Sequence, residues 1–244
     1  MRSIHTAIAT ILFGATTIAV TYGAALTTPV GGIEKVENEA YGTPPNAPRE
    51  PKTQGDDVAY QELLETLQRS GMLVKFDDGS QLTLGSNSKV LVDAFVYAPG
   101  NADSNALISL PTGALRYITG KMPKGQTTID TPTATMVLRG TNVKVLSDTD
   151  NTLLVVDEGS VSVHNKLTGE DTVVEEGQSV EIGGDGTDST GEDEVGDSIV
   201  DDGFGQASFG QSLGTPEQRR SDGPEHHEST QHKSKSSGPG FTPG

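Results

Sequence analysis

The chain contains neither cysteine nor tryptophan, and these two absences exclude several functions. It has 244 residues, of which only five are tyrosine and six phenylalanine. Without cysteine there is no thiol nucleophile, thiolate metal site, disulfide or lipid anchor on an N-terminal cysteine. With so few aromatic side chains, large stacking platforms for nucleic-acid bases or sugars are not expected. Any fold of this chain must therefore rest on its hydrophobic core.

Basic residues are also scarce. Seventeen Lys and Arg stand against 34 Asp and Glu, a formal net charge of -17. A surface of that sign repels phosphate, which excludes nucleic acid as a partner. Leu, Ile, Val and Phe supply 36 of the 129 residues in 54–182 but only 7 of the 62 residues in 183–244. The second share lies below the roughly 20% that a packed core requires, so the sequence predicts one folded domain followed by a disordered acidic tail.

The N-terminal region has the layout of a secretory signal peptide. A basic residue is followed by the apolar run Ala7–Val20 and then by small residues. We expect residues 1–25 to be a signal peptide that is cleaved at Ala24 or Ala25. The alternative is an uncleaved anchor, because extension of the apolar run to Leu26 approaches the ~20 residues of a membrane span. Cleavage would leave a periplasmic or secreted protein without a stable membrane span.

The middle of the chain shows the alternation that is typical of short β-strands. Residues 26–53 are a Pro-rich lead-in with room for one strand, and apolar and polar residues alternate between Gly and Asx turns from Met72 onward. This pattern predicts an all-β domain over residues 54–182. One segment differs, because Tyr60, Leu63, Leu64 and Leu67 have the spacing of an amphipathic helix.

The turns and strands of residues 54–182 together resemble the FecR domain. The matching pieces, in order, are Phe76–Leu84, Asp93–Tyr97, Thr131–Thr135, Arg139–Val145, Val155–Val163 and Glu176–Val180. The resemblance implies a twisted all-β fold of many short strands, solenoid-like or an elongated sandwich. It also implies extended structure rather than a helix at residues 62–66, since pairing within a sheet can override local propensity.

The resemblance implies a regulatory function. The best-known FecR proteins are transmembrane signal transducers, in which a cytoplasmic segment acts on a sigma factor and this module lies in the periplasm. Here only Met1–His5 precede the apolar run. The sequence is therefore similar to an exported, stand-alone module without enzymatic activity or cofactor, which acts by contact with an envelope protein. The alternative is a secreted β protein that responds to calcium or binds carbohydrate, with weak binding of divalent cations by its acidic tail.

Twelve residues carry the family resemblance, and we interpret them as structural: Asp78, Gly79, Ser80, Thr131, Pro132, Arg139, Gly140, Thr141, Glu158, Gly159, Gly177 and Gln178. Three of them are glycines that follow an acidic pair, an arrangement that is typical of a turn rather than of catalytic carboxylates. Two interpretations of Arg139 are open. It could bind a carboxylate of a partner, or it could pair with an acid of this chain while Gly140 supplies a special backbone conformation. The only histidine of this region, His164, lies in a predicted strand, and no catalytic residue is predicted.

The acidic tail offers two weaker candidates. Residues 183–188 match a single copy of a calcium-binding β-roll repeat, which would use Asp185 and Asp188 as ligands. The apolar residues Ile199, Val200, Phe204 and Phe209 are candidates for a short linear motif that orders on contact.

Overall fold

The computed structural model describes residues 28–100, 103–183 and 186–191, and these ranges contain seventeen strands and no helix. The strands are β1 (Pro29–Glu37), β2 (Ala40–Thr43), β3 (Glu50–Pro51), β4 (Asp57–Ala59), β5 (Leu63–Thr66), β6 (Gly71–Phe76), β7 (Gln81–Leu84), β8 (Lys89–Val96), β9 (Asn105–Ile118), β10 (Thr127–Asp130), β11 (Ala134–Leu138), β12 (Asn142–Ser147), β13 (Thr152–Glu158), β14 (Ser160–Asn165), β15 (Asp171–Glu175), β16 (Ser179–Gly183) and β17 (Gly186–Gly191).

The all-β prediction is confirmed. The segment with helical spacing holds β5, so pairing with β2 and β8 overrides the local preference there. Nowhere in the described ranges is there a helix of the length and apolarity that a bilayer crossing requires. The predicted signal peptide, with Ala24 and Ala25, lies outside the described residues.

The strands form two sheets. Strand pairing orders the first sheet as β4, β1, β6, β7, β9, β12, β13, β16, β17. The second sheet runs β3, β2, β5, β8, β9, β10, β11, β14, β15. Among these pairs β9 and β10 are parallel and the others antiparallel. The two sheets are therefore built alike and remain open at both edges.

Strand β9 belongs to both sheets. Residues 106–110 and 114–118 have the alternation of two separate strands, with Pro111 and Gly113 between them. In the structure the chain stays extended and changes sheets at this point: its residues up to Thr112 pair with β8 and β10, and those from Gly113 pair with β7 and β12. Gly113 has φ +103°, and a Cβ there would collide with Ser88. The glycine allows the bend that joins the sheets.

The inward residues of both sheets form one hydrophobic core. Phe76 of the first sheet stacks on Phe95 of the second, with ring centroids 4.5 Å apart, and Tyr117 lies 6.4 Å from Phe76. The other large and fully buried members are aliphatic, among them Leu64, Leu82, Ile108 and Leu138. Two packed sheets with alternating inward residues make a sandwich, which is one of the two architectures that the resemblance implied.

The lead-in contains three strands where the sequence left room for one. Strand β1 pairs with β4 and β6, and β2 pairs with β5, so residues 29–51 extend both sheets. The register shifts between Ile33 and Lys35, and this bulge interrupts the period of two by which a strand is recognised. A Cβ at Gly31 would collide with the backbone of Lys75, so the glycine that weakens the strand pattern permits close strand approach.

A buried ion pair ties the lead-in to the rest of the fold. The ammonium of Lys52 lies 2.9 Å from the Glu62 carboxylate, and the two side chains are 7% and 0% exposed. Glu62 also accepts a hydrogen bond of 2.7 Å from the Ala59 N–H. Lys52 contacts Glu50 at 3.0 Å. Burial alone would lower the pKa of Lys52, but these two carboxylates raise it above the usual value.

The structure also corrects the predicted start of the disordered tail. Strand β16 continues to Gly183, and residues 186–191 form β17, which pairs antiparallel with β16. The Asn165 amide donates hydrogen bonds of 3.1 Å to the carbonyls of Gly183 and Gly186 and so fastens this hairpin. An edge strand held by backbone pairing needs few apolar residues, which is why composition did not reveal it. The rest of the predicted tail, residues 192–244, lies outside the described residues.

Candidate binding surface

The Asp78–Gly79–Ser80 turn joins β6 to β7 and is stabilised by hydrogen bonds to the buried side chain of Asp78. The Asp78 carboxylate, 1% exposed, accepts hydrogen bonds from the Ser80 N–H at 2.8 Å, the Ser80 hydroxyl at 2.6 Å and the Met122 N–H at 3.1 Å. Gly79 has φ +84°. The Ser80 Oγ accepts a hydrogen bond of 2.8 Å from the Gly120 N–H. The turn is therefore a structural clamp on the connection between β9 and β10.

The Arg139–Gly140–Thr141 turn joins β11 to β12 beside the same connection. The Thr119 N–H donates to the Thr141 carbonyl at 2.9 Å, and the Thr141 N–H donates to the Thr119 hydroxyl at 3.2 Å. Gly140 has φ +71°, the backbone conformation that the structural interpretation of this glycine requires. Segment 119–122 thus contacts both turns and brings the two motifs together.

The Glu158–Gly159 turn packs directly on the Arg139–Gly140–Thr141 turn. Gly159 has φ +85°, and a Cβ there would collide with the Gly140 carbonyl oxygen. The Arg139 N–H donates to the Ser160 carbonyl at 3.1 Å. The Gly159 N–H donates to the Glu176 carboxylate at 3.4 Å, which connects the next turn to this one.

In the last of these turns Gly177 has φ +79°, and its N–H donates to the Val156 carbonyl at 2.8 Å. The Gln178 side chain accepts a hydrogen bond of 2.9 Å from the Glu175 N–H. Four turns and one connection therefore meet at one end of the sandwich. We call this the signature end: residues 77–80, 119–125, 139–141, 158–159 and 175–178.

The remaining two signature residues lie at the opposite end of β11. Thr131 is buried and its hydroxyl accepts hydrogen bonds of 2.9 Å from the Ala134 N–H and 2.8 Å from the Thr152 hydroxyl. The Lys166 ammonium donates to the Thr131 carbonyl at 2.6 Å. Pro132 is exposed. The structure therefore brings ten of the twelve signature residues together and leaves Thr131 and Pro132 in a separate turn.

Arg139 is the exposed cation of the signature end that the sequence identified. Its guanidinium forms no ion pair with residues 28–100, 103–183 or 186–191, so the acid partner expected within the chain is not found in these ranges. The Lys124 side chain runs over Gly140, since its Cε would lie 3.3 Å from a Cβ placed there. Lys121 and Lys124 are both exposed. The sequence analysis missed these two lysines, which no motif marks.

The sequence also singled out His164 and the two tail aspartates Asp185 and Asp188. His164 is exposed and lies 2.8 Å from Asp171 on the neighbouring strand. No group of three or more His, Asp or Glu side chains within the described ranges is placed to hold a metal ion. Asp185 lies outside those ranges, and of Asp188 only the backbone is described, in β17. The antiparallel hairpin at 183–186 differs from the parallel stack of a β-roll, and the calcium hypothesis stays a prediction.

The residue Tyr117 is buried next to the signature end. Tyr117 is fully buried beneath the Asp78 turn, and burial raises the pKa of its hydroxyl above the usual value. The phenol therefore stays neutral throughout the physiological range, and it contributes to the core rather than to acid–base chemistry.

Gly159 provides a test of how the signature turns are fixed. Gly159→Ala is expected to destabilise the fold by at least about 2 kcal/mol, because it combines a strained positive φ with a backbone collision. Gly169→Ala is the matched control: Gly169 has φ +77° but open space around the Cβ position. It should cost about 1 kcal/mol. Chemical denaturation measures the free energy of unfolding of both variants. Equal losses would show that Gly159 is needed only for its positive φ and not for its packing on Gly140.

Comparison with known proteins confirms the family resemblance. Residues 62–162 match the family model described as FecR protein. No curated protein matches the chain. Two crystal structures of a candidate anti-sigma factor from Parabacteroides distasonis ATCC 8503 are similar in fold, with TM-scores of 0.46 and 0.43 and 14% sequence identity in both cases. The alignments cover 57% and 54% of this chain, which spans 63% and 60% of those chains.

Proposed function

We propose, from the match of residues 62–162 to the FecR protein family model, that the chain is an envelope regulatory module that acts by binding another protein at its signature end. FecR proteins are regulatory proteins of the cell envelope. We place this one in the periplasm or outside the cell after removal of residues 1–25. The partner is an envelope protein that presents a carboxylate to Arg139, and no chemical reaction is involved.

The observation that carries this proposal is that Arg139 has a fixed backbone and an exposed guanidinium. Its backbone is fixed by the Ser160 carbonyl and by the packing of Gly159 on Gly140, while its guanidinium is exposed. A guanidinium offers a planar fork of donors that matches a carboxylate in two parallel hydrogen bonds. A fixed backbone lowers the entropy that such a contact costs on binding. Lys121 and Lys124 add positive charge beside it, and Glu158 and Glu176 add negative charge.

The acidic pairs support binding rather than catalysis. A hydrolase needs two carboxylates that face a substrate at a defined separation. Asp78 instead directs its carboxylate at its own turn and at Met122, and it is buried. Glu176 accepts a hydrogen bond from Gly159 in the adjoining turn. These carboxylates hold the turns that present Arg139.

Neutralising Arg139 tests the proposal. Arg139→Gln should weaken binding of the envelope partner, recovered by affinity purification with the wild-type chain, by at least tenfold, because charged hydrogen bonds contribute about 1.5–3 kcal/mol. Arg69→Gln is the matched control, since Arg69 is also exposed but lies in the turn before β6, at the other end of that strand. Unchanged stability of both variants, measured by thermal melting, excludes unfolding as the cause. Equal binding by Arg139→Gln and wild type would refute the proposed contact.

A further inference from the structure

The outward face of the first sheet carries a row of residues that runs from edge strand β17 to β9 in the middle of the sheet. Directly opposite residues of neighbouring antiparallel strands share a face. Pairing places Gly191 opposite Ser179, Ser179 opposite Val155, and Val155 opposite Lys144. Lys144 in turn lies opposite Arg116. The described chain therefore reaches its last residue, Gly191, at one end of a row that leads to two cations.

A second, apolar row runs beside the first. Ala114 lies opposite Leu146, and Leu146 opposite Leu153. With Val155 these residues form a hydrophobic cluster that is separate from the main core between the sheets. Its members among the described residues come from β9, β12 and β13, and the cluster faces away from the second sheet.

This outward face is more buried than a solvent-facing sheet surface would be. Lys144 is 5% exposed, Val155 7% and Ser179 3%. The Asp157 carboxylate lies 3.9 Å from the Lys144 ammonium and 3.7 Å from the Arg116 guanidinium, and the Arg116 Nε also donates a hydrogen bond of 2.9 Å to the Asn142 side-chain oxygen. Burying a lysine is costly without opposite charge nearby. The face thus combines low exposure, the two cations Lys144 and Arg116 and an apolar strip, with Asp157 beside the cations and Glu181 opposite Leu153 as its acids.

We infer that this face is an intramolecular docking surface whose occupant is the acidic segment 192–209. This segment holds six acidic and no basic residues, with Val195, Ile199, Val200, Phe204 and Phe209 as its large apolar residues. Its acids match the Arg116–Lys144 row, and its apolar residues match the Leu146–Leu153 strip. The inference is independent of the proposed function, because it concerns the outward face of the first sheet and not the turns of the signature end.

The position of Gly191 lets segment 192–209 reach this face over a short distance. Neighbouring strands are about 4.8 Å apart, so Val155 lies about 10 Å and Arg116 about 20 Å from Gly191. Six extended residues already span about 20 Å. Segment 192–209 can therefore pass over Lys144 and Arg116 and place Ile199 or Phe204 on the apolar strip without a long loop.

The cysteine-free chain allows a direct test. A nitroxide spin label on Ser198→Cys in the intact, isotope-labelled chain should strongly reduce the NMR signals of the Lys144, Leu146 and Leu153 amides. The Val173 amide, on edge strand β15 of the second sheet, should keep its signal. Neutralising Asp197, Asp201 and Asp202 should restore the lost intensity, and so should about 1 M salt, where screening acts within ~3 Å. Neutralising Glu217, Asp222 and Glu225, three acids further along, is the matched control and should restore nothing.

Three results would overturn the inference. The first is full signal at Lys144, Leu146 and Leu153 in the labelled chain. The second is an equal loss over both sheets, which would indicate a segment without a preferred site. The third is a signal loss in a mixture of two chains, one that carries the isotope label without the spin label and one that carries the spin label without the isotope. The occupant of the face would then be a second copy of the chain. The tail substitutions leave every described residue unchanged, so a folding defect does not confuse the result.

Discussion

Lys52→Met is expected to destabilise the fold by about 3–5 kcal/mol, because it leaves the Glu62 carboxylate buried without its cation. Glu62 has no exposed surface, and its carboxylate is 2.9 Å from the Lys52 ammonium. Gly42 closes over the pair, since a Cβ there would collide with the Glu62 carboxylate. Methionine keeps an apolar stem of four heavy atoms, like that of lysine, and lacks the ammonium group. Chemical denaturation of the intact chain near neutral pH measures the loss.

Two controls separate the charge from the packing. Lys75→Met removes a cation from the exposed pair with Glu34, whose side chains are 51% and 39% exposed, and should change stability by less than about 1 kcal/mol. The double variant Lys52→Met with Glu62→Leu removes both charges and should recover most of the loss. A loss below about 1 kcal/mol in Lys52→Met would contradict a buried pair that joins the lead-in to the domain.

Asp78→Ala is expected to cost about 3 kcal/mol. The substitution removes one buried acceptor and leaves the Ser80 N–H, the Ser80 hydroxyl and the Met122 N–H without their partner, and unsatisfied buried donors cost about 1–3 kcal/mol each. The loss includes the clamp on segment 119–122, so exchange of the Met122 amide hydrogen should accelerate more than that of the Val143 amide. Denaturation and hydrogen exchange measure the two effects.

Asp77 provides the matched control for Asp78. It is the preceding residue of the same turn, it has the same side chain, and it is exposed. Asp77→Ala should alter stability by no more than about 0.5 kcal/mol. Equal effects of the two substitutions would mean that the motif acts through charge at the surface, and the structural role assigned to Asp78 would be wrong.

The strands of the main domain could be predicted because their burial follows a period of two. Strand β14, with Val161 and Val163 buried between more exposed neighbours, shows the pattern plainly. Strands β1 and β9 could not be predicted in full. The bulge in β1 interrupts its alternation, and the change of sheet within β9 depends on contacts between Gly113 and Ser88, residues distant in sequence. Strand β17 forms by backbone pairing with β16, for which the sequence carries no apolar signal.

The signature end was predictable in its residues but not in its geometry. The pattern of glycines after acidic residues correctly indicated turns, and the positive φ of Gly79, Gly159 and Gly177 agrees with this. That these turns meet around segment 119–122 follows from the crossing of β9, which brings Thr119 to Thr141. The exposure of Arg139 and the position of Lys124 over Gly140 are likewise consequences of the tertiary fold.

Site-specific photo-crosslinking in cells tests the central claim most directly. A photoreactive residue is placed at Arg139 in one chain, at Lys124 in a second and at Val173, exposed on edge strand β15, in a third. We expect one envelope protein to be captured from positions 139 and 124 and to be absent from the capture at 173. Capture of the same protein from all three positions, or of none from the signature end, would contradict an interaction module that binds its partner through Arg139.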